Sequence, residues 1–556
     1  MPAGSRAYPA TQTNAGAGYV ALAVLLAVVL QAATMARSPA VENDGIVFIG
    51  IAKGLSTNPC ATMREADQHP GYPAMILASQ WLLGRFGVND EVSKWLLAAR
   101  LATGLCGAVS VPLVWLLARR AFDSRVAAVS AILFAVMPLF RQNAADAMSD
   151  SPHLLFFLLG VLAADVGFER WRCRWFLGAG CASALAYWIR PEGLTVAVVA
   201  GALLTCCIFS KRRPKLWVLA ACMAALGVSL IATAAPYVII KGILTSKKDL
   251  RVVLEGASWR MDGAKEPASP AKRSPEPDRI SDYQPTPPRA GPTATEDLSE
   301  NKRTREQSRP KIAFPADLLI AALHEYIRQV AYGFYQILLA PLVVGVIASF
   351  RRKPPRTTCM IVAAICVAYS GLLLFLYVIA RYISHRHTMP IVSLAMPWVG
   401  YGSIQVANGI HWVVSRFVRP AARTGSRWAL CVVLLAMCAV LVPRSLRPLH
   451  PSSIPLLEAA AWVRAHARPG DAVLSNSNYV PFYADMPGRV LTRHDKVPGA
   501  EDSGGSLRYR FVVLDMKIHN FNADWIPVLE SAYTQVEPPR TQDERGRVLI
   551  FEAVTK

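Results

Sequence analysis

Long apolar runs dominate the chain and are separated by short polar segments. A transmembrane helix needs about 20 mostly apolar residues. Eleven runs of about that length lie near 17–36, 95–118, 126–141, 151–168, 175–190, 192–210, 216–240, 332–350, 358–380, 387–409 and 428–443. The pattern predicts a polytopic α-helical membrane protein. Because ten more runs follow the first, we interpret 17–36 as a retained helix and not as a cleaved signal peptide.

Two regions outside these runs have a different character. Residues 255–311 are rich in Pro, Ser and mixed charge and poor in large apolar residues, which predicts a disordered insertion in an outer loop. The tail, 444–556, combines an amphipathic helical run, LLEAAAWVRAHA, with the short β-rich runs DAVLS, GRVLT, YRFVVLD and GRVLIFEAV. We therefore expect a membrane domain over 1–443 and a small α/β domain after it.

The basic residues of the short loops indicate the orientation. They fall on one side of the predicted bundle, at Arg119–Arg125, Arg170–Arg174, Lys211–Lys215, Arg351–Arg356 and Arg416–Arg427. An excess of Lys and Arg marks the cytoplasmic side. This assignment holds only if the apolar piece 72–88 does not cross the bilayer, so we expect it to form an interfacial helix in the first outer loop, 37–94.

Charge and cysteine content exclude other classes of protein. With 53% hydrophobic and 17% charged residues, the chain is too apolar for an ordinary soluble protein. The net charge of +21 is explained by loops beside anionic lipid headgroups, and so it does not predict a nucleic-acid partner. Most of the eleven cysteines lie in predicted spans and Cys60 is the one clearly external, so no outer disulfide is expected.

Ionisable residues collect on the predicted outer face. Asp44 follows the first span, Asp150 precedes the fourth, and Arg190 and Glu192 lie in the tight turn WIRPEG. Further groups follow later spans, namely Lys247, Lys248, Arg381, Tyr382, His385 and Arg386. Carboxylates can deprotonate a hydroxyl or hold a divalent cation, and cations can bind a phosphate diester. Such a set suits sugar transfer from a lipid phosphate, but solvated charges or headgroup contacts would produce the same pattern.

Several segments resemble the GT-C glycosyltransferases, especially glycosyltransferase family 39 and its protein-mannosyltransferase and aminoarabinose-transferase types. DGIVFIGIAKGL with QHPGYPAMILASQWLLG is similar to the first outer loop of that family. The resemblance continues, in order, through AARLATGLCGAVSVPLVWLLARRAF, NAADAMSDSPHLLFFLLG, AYWIRPEGL, PYVIIKGILTSKKD and ARYISHRHTMPIVSLAMPWVGYG. It covers about 17 to 410 and implies a GT-C fold with interfacial helices in the first outer loop.

The resemblance implies a reaction and a site. The chain would transfer a sugar from a polyprenyl-phosphate donor, with inversion, to a lipid, glycan or protein acceptor on the extracytoplasmic face of a bacterial plasma membrane. The catalytic candidates are Asp44 and Asp150, which are also the expected ligands if Mg²⁺ or Mn²⁺ is bound; no cofactor is certain. The candidates for binding the donor phosphate and substrate are His69, Arg190, Glu192, Lys247, Lys248, Arg381, Tyr382, His385 and Arg386.

Alternatives remain open at this stage. The family commonly has an Asp-Glu pair where this chain has Asp44 and Gly45, so Asp44 acts alone, with Glu42 or with Asp150. Asp150 before Ser-Pro is also helix-start chemistry, and Arg190 with Glu192 would also serve as a structural ion pair. At the level of the whole chain, the alternatives are a transporter or flippase of lipid-linked sugars and an inactive GT-C-fold binding protein.

Overall fold

The computed structural model describes residues 11–85, 91–210, 214–245, 315–351, 357–417, 425–492, 495, 508–518, 521–536 and 548–553. The predicted insertion 255–311 and the candidates Lys247 and Lys248 lie outside these residues. The described chain forms a helical bundle followed by a small mixed sheet.

Sixteen α-helices precede the carboxy-terminal region in the described ranges. They are α1 (Thr11–Arg37), α2 (Asn43–Thr57), α3 (Pro59–Glu65), α4 (Gly71–Gly84), α5 (Glu91–Ala121), α6 (Ser124–Val136), α7 (Pro138–Ala145), α8 (Asp150–Arg170), α9 (Cys173–Ile189), α10 (Thr195–Cys207), α11 (Leu216–Lys241), α12 (Pro315–Gly333), α13 (Leu339–Phe350), α14 (Thr357–Ala380), α15 (Met389–Phe417) and α16 (Gly425–Ser445). Short 3₁₀ turns, Pro191–Leu194 and His385–Thr388, precede α10 and α15.

Six of the described helices, α1, α5, α8, α11, α14 and α16, are long and apolar enough to cross a membrane. The pair α6 and α7 makes a seventh if it counts as one span; the two helices meet at 52°. The break falls at Pro138, whose ring removes the N–H that would continue α6. Helices α9, α10, α13 and α15 occupy the other predicted spans, and the total of eleven stays a prediction.

The predicted span 332–350 is wrong as a single helix. In the structure α12 ends at Gly333 and α13 begins at Leu339, so only twelve residues of the run form one helix. Between them Tyr335 and Gln336 have φ of 51° and 59°. This left-handed backbone cannot continue a right-handed helix, although the side chains remain apolar enough to look like one uninterrupted run.

One end of the helical bundle has a cluster of ion pairs, and the other end has the short helices of the first loop and the carboxy-terminal sheet. Near the end of α5, Arg120 bonds with Asp165 and, at 2.7 Å, with Glu169, both in the last turns of α8. Asp150 begins α8 and therefore lies about 30 Å from that end. Helices α2 to α4 and the carboxy-terminal sheet pack at the Asp150 end, which we call the loop face. As predicted, α2 to α4 are each too short to cross a bilayer.

The carboxy-terminal region begins with α17 (Ile454–His466) and continues with β1 (Asp471–Ser475), α18 (Tyr479–Ala484), β2 (Gly488–Val490), β3 (Arg508–Asp515), α19 (Trp525–Ala532), β4 (Tyr533–Val536) and β5 (Val548–Ala553). The strand order is β2-β1-β3-β5-β4, with β1 parallel to β2 and β3 and with β5 antiparallel to β3 and β4. The predicted helix and four β-rich runs are confirmed as elements; α18, α19 and β4 were not predicted.

The alternation of side chains along β3 divides the core of this region. Phe511 and Val513 face a cluster that includes α17, α18 and the apolar side of α2, whereas Val512 and Leu514 face α19. This is the period-2 pattern of a strand buried on both faces. Because the first cluster contains residues of the first loop as well as of the sheet, the sheet is fixed against α2 by a shared apolar core.

Candidate active site at the loop face

Asp44 lies in the first turn of α2 and is exposed. The helix is held in place at the next residue, because a Cβ on Gly45 would lie 2.8 Å from both the Cβ and the carbonyl oxygen of Ala147. A contact this short admits only a residue without a side chain. Packing thus explains why a glycine, and not a second acid, follows Asp44: Gly45 lets α2 pack on Ala147, three residues before Asp150.

Asp146, in the same second loop, fixes the segment that enters α2. Its Oδ1 accepts hydrogen bonds from the backbone N–H of Glu42 at 3.0 Å and of Ala147 at 2.8 Å. Its Oδ2 lies 2.7 Å from Nε2 of His450, and Nδ1 of the same imidazole lies 3.3 Å from Oε2 of Glu42. His450 stands between α16 and α17, so this contact joins the first loop, the second loop and the carboxy-terminal region.

The charge of His450 follows from these neighbours. Burial disfavours the imidazolium, but the hydrogen bond and charge of Asp146, with the charge of Glu42, outweigh it and raise the pKa of His450 above its ordinary value. Arg100 opposes this with a smaller effect. The guanidinium of Arg100 donates to the backbone carbonyls of Ser38 and Ala40, at 3.2 and 2.9 Å, and so orders the link between α1 and α2.

Asp150 and Arg190 form a buried ion pair. The Asp150 carboxylate is 2% exposed and the Arg190 side chain 17% exposed. The negative charge of buried Glu192 also stabilises the Arg190 guanidinium. Buried Tyr369 lies within electrostatic range of Asp150, Arg190 and Glu192. The turn Arg190-Pro191-Glu192 and the start of α8 are thereby joined into one charged cluster near Tyr369.

Three more groups face Asp150. The charge of Arg386, and those of His387 and His153 when they are protonated, favour the ionised Asp150 carboxylate, and His385 lies within electrostatic range of both Arg386 and Asp150. His153 is on the same face of α8 because it is three residues from Asp150. The Arg386 guanidinium approaches Met148 Sδ at 3.7 Å and, within the described chain, has no carboxylate at ion-pair distance. Arg386 is partly exposed, and so its guanidinium is a candidate for binding an anion.

His69 is buried among aromatic rings. Its ring centroid lies 5.4 Å from that of Tyr187 and 5.1 Å from that of Tyr237, and its Nε2 lies 3.4 Å from the Thr245 hydroxyl. Next to it, a Cβ on Gly71 would lie 2.7 Å from the backbone carbonyl of Trp188. The His-Pro-Gly turn thus packs directly on the segment that precedes Arg190.

The carboxy-terminal region covers the start of α2. The Tyr479 hydroxyl donates to the Val41 carbonyl at 2.8 Å, and Asn478 Nδ2 donates to Asn43 Oδ1 at 3.0 Å. A cavity of about 460 Å³ lies between α2 and the segment from α18 to β2. Its lining includes Val47, one helical turn after Asp44.

Of the candidate site residues, the structure brings together Asp150, Arg190, Glu192, His385 and Arg386. Asp44 is on the adjoining loop, and His69 is buried beside the Arg190 turn. Arg381 and Tyr382 are exposed where α14 ends, with Tyr382 6.0 Å from the His387 ring.

Sequence reasoning missed His153 and Tyr369, which are single polar residues within apolar runs and give no motif. It also missed the contact of His450 with Asp146, which joins positions that are 304 apart in sequence.

Comparisons with known proteins identify the fold. Residues 91–240 match the family model described as dolichyl-phosphate-mannose-protein mannosyltransferase. The structure is similar to ArnT from Cupriavidus metallidurans in the apo state, with a TM-score of 0.54 and 14% identity over 97% of this chain and 98% of that chain. The same protein bound to undecaprenyl phosphate gives a TM-score of 0.56 and 14% identity over 96% and 98%.

A second protein of known structure is similar to an equal degree. The apo oligosaccharyltransferase of Archaeoglobus fulgidus gives a TM-score of 0.56 and 11% identity over 98% of this chain and 76% of that chain. No curated protein sequence matches. The chain is a multi-pass membrane protein with the GT-C fold of membrane glycosyltransferases. Within that fold, residues 91–240 are the part that matches the protein-mannosyltransferase family model.

Proposed function

We propose that this protein is a membrane glycosyltransferase that moves a sugar from a polyprenyl-phosphate donor to an acceptor at the loop face, with inversion at the anomeric carbon. The observation that carries the proposal, in a chain of GT-C fold, is that α2 packs through Gly45, next to the exposed Asp44, on Ala147, three residues before Asp150 and its cluster with Arg190 and Arg386. The orientation we propose puts the loop face outside a bacterial plasma membrane.

Asp44 is the proposed base. It is exposed, so an acceptor hydroxyl can reach it, and the close packing of Gly45 on Ala147 holds it beside the second loop. In the proposed step the acceptor oxygen attacks the anomeric carbon while its proton passes to Asp44. The bond from that carbon to the phosphate oxygen breaks, and the polyprenyl phosphate leaves with the electron pair.

Arg386 is the proposed partner of the leaving phosphate. Arg190 is already neutralised by Asp150, whereas Arg386 has no carboxylate at ion-pair distance in the described residues. A guanidinium without an ion pair can stabilise the negative charge that develops on the phosphate. Asp150 then has a positioning role, because it fixes Arg190 and orients the cationic side of the cluster.

The cavity between α2 and α18 is the proposed approach for the acceptor. It opens one helical turn from Asp44 and is lined by apolar residues together with Lys53, Asn478 and Asp485. This mixture suits an acceptor that presents a polar group beside apolar surface. A lipid, a glycan and a protein all remain candidates for that acceptor.

The proposal is tested with purified protein and a panel of radiolabelled polyprenyl-phosphate sugars. We expect the native chain to release free polyprenyl phosphate from one of them. Because a hydrogen bond to a charged group contributes about 1.5–3 kcal/mol, Arg386→Gln should weaken use of the donor by about 10- to 100-fold. The matched control is Arg416→Gln, since Arg416 lies over the Trp412 ring in the last turn of α15. Equal loss in both variants, or none in Arg386→Gln, would refute the assignment of Arg386.

A further inference from the structure

One cluster of possible metal ligands lies beside the site but contains none of its proposed catalytic residues. Glu42, Asp146 and His450 each offer a ligand atom, and these atoms lie within 4.8 Å of one another. Among the described residues they form the group of three that is close enough to share an ion, and it does not include Asp44 or Asp150.

The geometry of the three donors suits an ion with mixed nitrogen and oxygen ligands. Donors about 2.0–2.2 Å from a tetrahedral Zn²⁺ are roughly 3.3–3.6 Å apart. Oδ2 of Asp146 lies 2.7 Å from Nε2 of His450 and Oε2 of Glu42 lies 3.3 Å from Nδ1, and a ligand atom of each residue lies within 4.8 Å of the other two. Because these two contacts are to different nitrogens, the partly exposed Glu42 side chain would turn toward the nitrogen that holds the ion. One imidazole nitrogen would bind the ion and the two carboxylates would contribute one oxygen each.

The surroundings of the cluster favour binding over a bare ion pair. Asp146 is held by backbone N–H groups at one oxygen only, which leaves Oδ2 oriented toward His450. Oriented ligands of this kind are typical of metal sites, where a second hydrogen bond fixes each ligand. Glu42 is 36% exposed, so an ion has a path from solvent, and three protein ligands leave further coordination positions for water.

We propose that Glu42, Asp146 and His450 bind one divalent transition-metal ion of the Zn²⁺ or Mn²⁺ kind. An imidazole in the set favours such ions over Mg²⁺ and Ca²⁺, which prefer oxygen ligands alone. The ion joins three distant segments: the entry to α2, the second loop and the link from α16 to α17. Its role is to fasten the carboxy-terminal region over the segment that carries Asp44.

This site is distinct from the divalent cation that the sequence allows at Asp44 and Asp150. It is also independent of the proposed function, because binding is measured without donor or acceptor. If sugar transfer fails and the ion still binds, only the proposed function is lost. If transfer succeeds without any bound ion, only the metal site is lost.

The test uses the untagged full-length protein in detergent, treated with EDTA and freed of chelator. The protein is equilibrated with Zn²⁺ or Mn²⁺ at fixed pH. The amount of metal bound per protein is then measured by elemental mass spectrometry, together with the melting temperature. We expect one equivalent of ion and a higher melting temperature, because a ligand that binds the folded state alone stabilises it. Mg²⁺ at the same concentration should give neither.

The decisive comparison is between two carboxylates of the first loop. Glu42→Gln should bind the ion at least about 10-fold more weakly, since even the loss of a group that only orients a ligand costs that much. Glu65→Gln should bind as the native chain does, because Glu65 is exposed on α3 and outside the cluster. His450→Asn should also lose the ion.

A second measurement guards against variants that fold poorly. Co²⁺ added to the native protein should give visible absorption bands from a site with nitrogen and oxygen donors, and Zn²⁺ should remove them by displacement. A native protein that binds no ion, or an ion held equally well by native, Glu42→Gln and His450→Asn proteins, would overturn the proposal.

Discussion

Single residues set the charge balance of the loop face. Asp150 and Arg190 are both largely removed from solvent, so each is needed to neutralise the other. Breaking such a pair from one side leaves an uncompensated buried charge, which costs more than the pair itself contributes. The pair therefore constrains the start of α8 and the turn after α9 in addition to any part it has in catalysis.

Asp150→Asn or Arg190→Gln alone should lower the free energy of unfolding by roughly 3–5 kcal/mol. The double variant should recover part of that loss, because neither charge is then left alone. The measurement is thermal or denaturant unfolding in detergent, arranged as a double-mutant cycle. Glu325→Gln is the control: its ion pair with Arg328 is 53% exposed on the arginine side, so its loss should change the free energy of unfolding far less than either buried variant does. Additive losses in the cycle would show that the two charges do not depend on each other.

Gly45 shows how a missing side chain can define a site. Gly45→Ala would place a methyl group against Ala147, so α2 would have to move and Asp44 with it. We expect a loss of about 1–3 kcal/mol of stability, as for other overpacked contacts, and slower sugar transfer.

Gly50→Ala on the same helix is the matched control for stability. A Cβ there meets nothing within 4 Å, so the better helix propensity of Ala should raise stability by about 0.5–1 kcal/mol. Melting temperatures of the two variants should therefore move in opposite directions. A rise for both would mean that Gly45 and Ala147 lie farther apart than the 2.8 Å approach of a Cβ implies.

At the scale of helices and strands, apolar run length predicts where helices occur but not where they break. Nine of the eleven runs contain one α-helix each, and a tenth contains the bent pair α6 and α7, which breaks at Pro138. Burial in lipid favours such helices because every backbone N–H and C=O must be hydrogen-bonded within the chain. The run 332–350 does not form one helix, because two left-handed residues interrupt it without any change in polarity. The length of an apolar run does not indicate the backbone φ angles of the residues within it.

The candidate site was predictable to a similar extent. Charged residues that flank helix ends, such as Asp150, Arg190 and Arg386, stand out in an apolar chain, and the family resemblance puts them in order. His153 and Tyr369 do not stand out, because one polar residue inside an apolar helix is compatible with ordinary packing. The meeting of Glu42 with His450 depends on how the carboxy-terminal sheet packs on α2, which no local pattern encodes.

The packing of the carboxy-terminal region on α2 can be tested through the hydrogen bond from the Tyr479 hydroxyl to the Val41 carbonyl. Tyr479→Phe removes the bond and should increase hydrogen exchange at the amides entering α2, consistent with a loss of about 1 kcal/mol. Tyr533→Phe is the control, since its hydroxyl lies 3.5 Å from Tyr509 within the sheet region. Equal exchange at α2 in both variants would mean that the sheet does not order this segment.

At the scale of the whole molecule, the sheet and the first loop behave as one unit built on the loop face. Their common core includes Val41, Ile46, Val473 and Phe511, all buried. The helical bundle contributes the starts of α8 and α15 to the loop face. In the reaction that we propose, a lipid-borne donor and an acceptor from outside the membrane would meet between the bundle and this unit, with the exposed Asp44 as the base.

The most direct test of this account is sugar transfer by the native chain and by Asp44→Asn, each in liposomes with the donor that the panel identifies. Donor binding is measured in parallel. We predict that the native protein releases polyprenyl phosphate and that Asp44→Asn does so about 10²- to 10⁴-fold more slowly, with donor binding unchanged. Equal turnover by the two proteins, or donor bound by the native protein and never released, would contradict it.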